Sequence, residues 1–124
     1  MCKQTLTKRL KMLLMVVAVL SPVTAWSHAI LVKSQPAQDE TVTESPKQID
    51  LWFNDAVRSE YKAVAVIDAA GKRVDNHDVD QSLTDGSHIY ATVGSLPSGK
   101  YTVRYRVVSQ DTHIVTGKFE FNVK

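Results

Sequence analysis

The strongest constraint on the fold is an alternation of apolar and polar residues with a period of two. It recurs in three segments, 48–54 (QIDLWFN), 100–108 (KYTVRYRVV) and 118–123 (KFEFNV). Successive side chains of a strand point to opposite faces, so each segment predicts a strand with one buried face. The residues predicted to point inward are Ile49, Leu51, Phe53, Tyr101, Val103, Tyr105, Val107, Phe119, Phe121 and Val123.

Three further segments predict shorter strands, because they are rich in β-branched and aromatic residues. They are 29–34 (AILVKS), 63–68 (AVAVID) and 88–93 (HIYATV). Turn-forming residues separate the segments, at Pro36, Pro46, Ala70-Gly71, Asp85-Gly86 and Pro97-Ser98-Gly99. No segment has convincing helical amphipathicity. The pattern therefore predicts an all-β fold, an Ig-like Greek-key β-sandwich or barrel of about seven short antiparallel strands.

Residues 1–27 have the pattern of a secretory signal peptide. Four basic residues precede an apolar stretch at 12–20, and Ala25 and Ser27 occupy the small-residue positions of a cleavage site. The apolar stretch is shorter than the about 20 residues that span a bilayer. We therefore expect cleavage of residues 1–27, export to an oxidising compartment, and one domain at 28–124 that begins with the free α-amino group of His28.

Removal of residues 1–27 changes what the composition implies. The chain has 15 basic and 13 acidic residues, and four of the basic ones precede residue 28. The expected mature chain thus has more acidic than basic residues and no basic tract for nucleic acid. The single cysteine, Cys2, and all three methionines also precede residue 28. No disulfide can form in 28–124, and no sulfur ligand is available there for Cu(I).

A metal site is the chemistry that the histidines favour. The α-amine and the imidazole of an N-terminal His28 can chelate one ion. His113 adds a third nitrogen, and Asp111, two residues earlier, adds an oxygen whose side chain shares its side of an extended chain. Tetragonal nitrogen and oxygen ligation suits Cu(II), with Zn(II) as the competitor for the same atoms.

A hydrolytic triad of Ser109, Asp111 and His113 is the competing interpretation of the same string. In an extended strand, Ser109 and His113 would lie about 13 Å apart with the acid between them. A triad instead needs the histidine between serine and acid, and the chain has no G-x-S-x-G motif. We therefore expect no enzymatic activity from these residues.

The chain resembles the CopC family of periplasmic copper-resistance proteins. The resemblance begins at His28-Ala29, continues through the S-x-P-A turn at 34–37 and the strand at 51–57, and ends with 96–123. In the last segment the family's signature is a strand that runs into an S-x-D-G-H pattern, followed by a G-x-F-x-F-type strand. The residues at the matching positions are Ser109, Asp111, His113, Gly117, Phe119 and Phe121.

This resemblance implies one Cu(II) per chain, bound by His28, Asp111 and His113, for copper resistance, homeostasis or delivery. It also implies a CopD-type inner-membrane copper transporter as partner, and a monomer is expected.

Two positions depart from the family pattern: Thr112 replaces the usual glycine, and Tyr105 replaces a frequent tryptophan. If the loop uses a positive φ at residue 112, the β-branched threonine is strained there. Because residues 28–124 contain no methionine, the methionine-rich Cu(I) site of some members is excluded.

Two other functions remain open from the residues alone. One is a copper-dependent oxidative enzyme with a histidine brace, and the other is a metal-free interaction domain.

The sequence around the remaining histidines favours structural roles for them. His77 lies in an acidic segment that predicts a solvated loop, because no frame supplies the glycine of an EF-hand. His88 is expected on a polar strand face, and Trp52 is expected to be structural.

Overall fold

The computed structural model describes residues 29–124, so the predicted signal peptide and His28 lie outside the described residues. Residues 29–124 form eight strands and no helix. This part of the chain therefore contains no helical segment that could cross a membrane. The strands are β1 (Leu31–Gln35), β2 (Thr41–Val42), β3 (Gln48–Phe53), β4 (Val57–Ile67), β5 (Asp80–Gln81), β6 (His88–Thr92), β7 (Gly99–Ser109) and β8 (Ile114–Val123).

The strands form two four-stranded sheets, ordered β1-β3-β6-β5 and β2-β8-β7-β4. The predicted β-sandwich is confirmed. The strand number is eight within the described residues rather than about seven, and the expectation of antiparallel pairing throughout is wrong for β2, which runs parallel to β8. That strand has only two residues, which is too short for an alternation to be recognised in the sequence.

The core between the two sheets includes nearly all of the residues predicted to point inward, together with residues of β4 and β6 such as Val64, Val66 and Ile89. Ile49, Leu51 and Phe53 of β3 are at most 3% exposed, and Phe119 and Phe121 of β8 are at most 4% exposed. Tyr101, Val103 and Val107 of β7 and Val123 of β8 are also buried. Tyr105 is only partly buried, at the edge of the core, where its ring meets that of Phe53 edge-on at 5.5 Å. The alternation therefore identified the inner faces of both sheets.

The long hairpin of β7 and β8 positions the candidate site. Its ladder of paired residues runs from Gly99–Val123 to Val108–Ile114, so the chain reverses within residues 109–113. Near this reversal Tyr105 faces Gly117 across the two strands, and a Cβ atom at residue 117 would collide with the Tyr105 phenol. The glycine thus gives the ring room to cover the end of the core next to the reversal.

Candidate metal centre

The reversal at residues 109–113 is a tight hairpin turn. The Ser109 backbone N–H donates to the His113 carbonyl at 2.9 Å, and the Thr112 N–H donates to the Ser109 carbonyl at 2.9 Å. The expectation that residues 109–113 continue an extended strand is therefore wrong. Ser109 and His113 are neighbours across the turn, because strand pairing requires β8 to begin at Ile114 directly beside the end of β7.

The turn brings the side chains of Asp111 and His113 together. Asp111 Oδ2 lies 3.0 Å from His113 Nδ1, and the Ser109 hydroxyl donates to Asp111 Oδ1. The hydrogen bond from Ser109, followed by the contacts with His113, lowers the pKa of Asp111 below its ordinary value. At neutral pH this position therefore holds a carboxylate next to an imidazole.

The same contacts argue against a catalytic triad. The Ser109 hydroxyl donates to Asp111, and the carboxylate lies between the hydroxyl and the imidazole. A triad needs the imidazole in that central position, where it can take the proton of the serine. The predicted distance between Ser109 and His113 was wrong, but the order of the three groups still opposes a serine nucleophile.

The start of the described chain lies beside His113. Residues 29–31 and 113–116 line one surface depression together with Tyr105. Ala29 is buried at 1% exposure, and Ile30 is tied to Asn54 in both directions: the Ile30 N–H donates to Asn54 Oδ1 at 2.7 Å, and the Asn54 N–H donates to the Ile30 carbonyl at 2.9 Å. The residue that follows His28 in the sequence is therefore anchored in the depression that His113 also lines.

Two of the three predicted metal ligands are thus placed by the structure. The third, His28, lies outside the described residues. Within residues 29–124 no group of three or more His, Cys, Asp or Glu side chains is arranged to hold a metal ion. The sequence did not single out Ser109 as the residue that orients Asp111, or Asn54 as the anchor of the N-terminal segment. The position of Asn54 at the end of a predicted strand was the available signal for the anchor.

Thr112 has a φ of 68°, in the left-handed region that β-branched residues rarely adopt. The strain expected at this position is therefore present.

We expect Thr112→Gly to raise the free energy of unfolding by about 1 kcal/mol, because relief of about 1–3 kcal/mol of backbone strain exceeds the entropic cost of glycine. Urea denaturation measures the change. As a matched control, Gln110→Gly in the same turn, where φ is not positive, should lower stability by about 0.4–1 kcal/mol. Equal losses in the two variants would contradict the strain.

The acidic segment around His77 differs from the predicted solvated loop at one residue. His77 and Asp78 are exposed as expected, but Asp75 is buried. Its Oδ1 accepts from Arg73 Nε at 2.8 Å and from the Val66 N–H at 2.9 Å. The sequence could not indicate this, because the Val66 partner comes from a neighbouring strand. Asp75 is therefore a structural residue.

Trp52 and His88 form a stacked pair on the outer face of the first sheet. They are opposite each other in the pairing of β3 with β6, with ring centroids 4.4 Å apart and planes inclined by 15°. His88 Nε2 lies 2.8 Å from Asp50 Oδ1, and Lys33 Nζ lies 4.6 Å from the centre of the Trp52 ring. This agrees with the predicted structural roles of both residues.

Comparison with known proteins identifies the family. Residues 31–124 match the family model described as the CopC domain. The chain belongs to the CopC family. Copper resistance protein C of Xanthomonas campestris pv. juglandis is 31% identical over 116 residues, which cover 89% of this chain and 91% of that protein. The crystal structure of CopC from Methylosinus trichosporium OB3b superposes with a TM-score of 0.74 at 33% identity, covering 78% of this chain and 94% of that chain.

A longer relative contains the same region. The copper transport protein CutJ of Bacillus subtilis is 30% identical over 113 residues, which are 90% of this chain but 21% of CutJ. The CopC chain thus spans about a fifth of that relative. Membership of the CopC family implies that the chain binds copper and is a copper resistance protein rather than an enzyme. The alternative of an oxidative enzyme with a histidine brace is therefore wrong.

Proposed function

We propose that this CopC protein captures one Cu(II) ion in the periplasm through His28, Asp111 and His113. In this proposal residues 1–27 are removed on export, and His28 supplies both its α-amine and its imidazole. The bound copper is buffered or delivered to a membrane transporter of the CopD type, and the protein acts as a monomer. No bond of a substrate is made or broken.

The observation that carries the proposal is the shared depression of residues 29–31 and His113. Ala29 is buried and Ile30 is tied to Asn54, so residue 29 is held in the depression that His113 also lines. One residue further back is His28. Because consecutive Cα atoms are about 3.8 Å apart, the position of residues 29–31 supports His28 as the source of an amine and an imidazole for an ion on His113.

The chemistry of the donors supports Cu(II) as the ion. The proposed ligands are an amine, two imidazoles and a carboxylate, which suit the tetragonal preference of Cu(II). Cu(I) prefers thiolate and thioether, and every sulfur-containing residue of this chain precedes residue 28. The carboxylate is available at neutral pH, because its neighbours lower the pKa of Asp111.

The test compares two versions of the protein, one that begins at His28 and one that retains Ser27 before it. We expect the extra residue to lower Cu(II) affinity at least about tenfold, because it converts the amine into an amide and breaks the chelate ring. A competitive titration measures the affinity, and electron paramagnetic resonance reports the nitrogen ligands. Thermal unfolding without copper is the control and should be the same for both versions. Equal affinity with the same spectrum would show that the amine is not a ligand.

A further inference from the structure

A groove on the outer face of the second sheet adjoins the Asp111–His113 turn. We call it the basic groove; its lining includes Arg58, Tyr61 and Lys62 of β4, Arg106 of β7, and Thr112 and Ile114 on either side of His113. It is distinct from the depression that residues 29–31 form with His113. Ile114 lines both, so the basic groove and the proposed copper site share an edge.

The charge of the basic groove indicates the chemistry of its ligand. Three cationic side chains line it, with Glu60 as the one acidic residue among its lining residues. Among the carboxylates of residues 29–124, none forms an ion pair with Arg58, Lys62 or Arg106. The expected mature chain has more acidic than basic residues overall, so this concentration of positive charge is local. Such a surface attracts an anionic partner and raises its rate of association.

The positive surface continues beyond the groove along β7 and β8. Arg104 lies two residues from Arg106 and therefore on the same face of the sheet. It is paired directly with Lys118 across the strands, an arrangement of like charges that is destabilising in a sheet. An anionic partner laid along this face would offset that repulsion.

Two features indicate contacts beyond simple charge attraction. Arg58 donates from Nη2 to the Gln110 carbonyl at 3.1 Å, but its buried Nε has no hydrogen-bond partner. The Nη2 bond to the turn fixes the Arg58 guanidinium at the side of the groove next to residues 109–113. Tyr61 and Ile114 are 65% and 59% exposed, and thus offer apolar area at the two sides of the groove. Tyrosine and arginine are enriched among the residues that dominate protein interfaces.

We propose that the basic groove binds an acidic peptide segment, carrying an apolar side chain, of the protein that exchanges copper with this chain. This rests on the proposed function, because the partner is the one served by the copper site. Thr112 and Ile114 flank His113, so a segment in the groove contacts the turn that holds two of the proposed ligands. Docking and copper transfer would then occur at adjacent positions on one face.

The test uses copper-free protein and a fluorescent peptide in which glutamate alternates with leucine, with a lysine–leucine peptide for comparison. We expect the acidic peptide to bind, with an affinity that falls as salt is added. The double substitution Lys62→Glu/Arg106→Glu should lower that affinity at least about tenfold. Tyr61→Ala should weaken it as well. The matched control is Lys72→Glu in the turn that follows β4, which changes an exposed charge away from the groove and should leave binding unchanged.

Three results would contradict the proposal that the basic groove binds an acidic peptide. These are equal weakening by Lys72→Glu and by the groove variant, binding of the lysine peptide as well as the acidic one, and binding of phosphatidylglycerol vesicles without binding of the peptide. The last result would assign the face to a membrane surface. Folding of each variant is checked by thermal unfolding, with Lys62→Gln/Arg106→Gln as the milder replacement. Cu(II) titration of the groove variants should give unchanged affinity, so a failure of the copper site and a failure of the groove give different results.

Discussion

Cu(II) affinity is expected to fall at least about 100-fold, or about 2.8 kcal/mol, when His113 is replaced by alanine. In the proposed site His113 supplies one of two imidazoles, and Asp111 Oδ2 at 3.0 Å from Nδ1 fixes the orientation of the ring. A carboxylate that holds a ligand imidazole also makes it a better donor. His113→Ala removes the nitrogen and the partner of Asp111 together, so the remaining donors bind the ion more weakly.

The matched control for His113→Ala is His77→Asn. This also removes one exposed imidazole, and asparagine tolerates the positive φ of 56° at residue 77. Competitive titration should show unchanged copper affinity for the control. Both substitutions are at exposed positions, so urea denaturation of the copper-free proteins should show changes within about 0.5–1 kcal/mol. Native affinity in His113→Ala, or equal losses in both variants, would remove His113 from the site.

Replacement of Asp75 by alanine is expected to lower the free energy of unfolding by about 3 kcal/mol, at the lower end of the range for breaking a buried ion pair. The Asp75 side chain is fully buried, whereas that of Arg73 is 44% exposed and keeps access to water. Besides the two bonds to Oδ1, Asp75 Oδ2 accepts from Arg73 Nη2 at 3.0 Å and from the His77 N–H at 3.2 Å. The alanine variant leaves the backbone donors of Val66 and His77 without this acceptor.

The stability difference between the native protein and Asp75→Ala should depend on pH. Burial alone would raise the pKa of Asp75, but hydrogen bonds from Arg73, Val66 and His77 outweigh it and lower the pKa below its ordinary value. A carboxyl group whose folded-state pKa is lowered contributes stability above its unfolded pKa of about 3.9, and this contribution is lost as pH falls through the folded-state value. The difference should therefore be constant near neutral pH and shrink below about pH 4.

Urea denaturation at several pH values measures both effects, and Asp78→Ala is the control. Asp78 belongs to the same segment but is exposed, and it accepts from both the N–H and the hydroxyl of Thr92. Its replacement should cost about 1–2 kcal/mol, the net value of two ordinary hydrogen bonds at an exposed position. If Asp75→Ala does not fold, Asp75→Asn keeps an acceptor and should still be less stable than the control. Equal losses at Asp75 and Asp78 would mean that burial of the ion pair contributes nothing.

The sequence anticipated the site in part. The spacing of Asp111 and His113 predicted that their side chains lie together, and the family pattern predicted strain at Thr112. The structure agrees with both predictions. The geometry behind the first expectation was wrong, because an extended chain was assumed where the strands reverse. A turn at 109–113 carries no Gly, Pro or Asn to mark it, and only the pairing of β7 with β8 reveals it. The location of His28 stays a prediction.

The sequence by itself determined which face of each strand is buried, because the period of a strand is fixed and Ile49, Leu51, Phe119 and Phe121 fall on one side of it. It also determined which donor atoms are available for copper. Only the tertiary structure decided which segments are neighbours. The pairing of Trp52 with His88 and the shared depression of residues 29–31 with His113 join positions far apart in the chain, and the bond from Val66 to Asp75 joins two different segments. A local pattern records the environment of a residue, whereas its partner is set by the register of the strands and the packing of the two sheets.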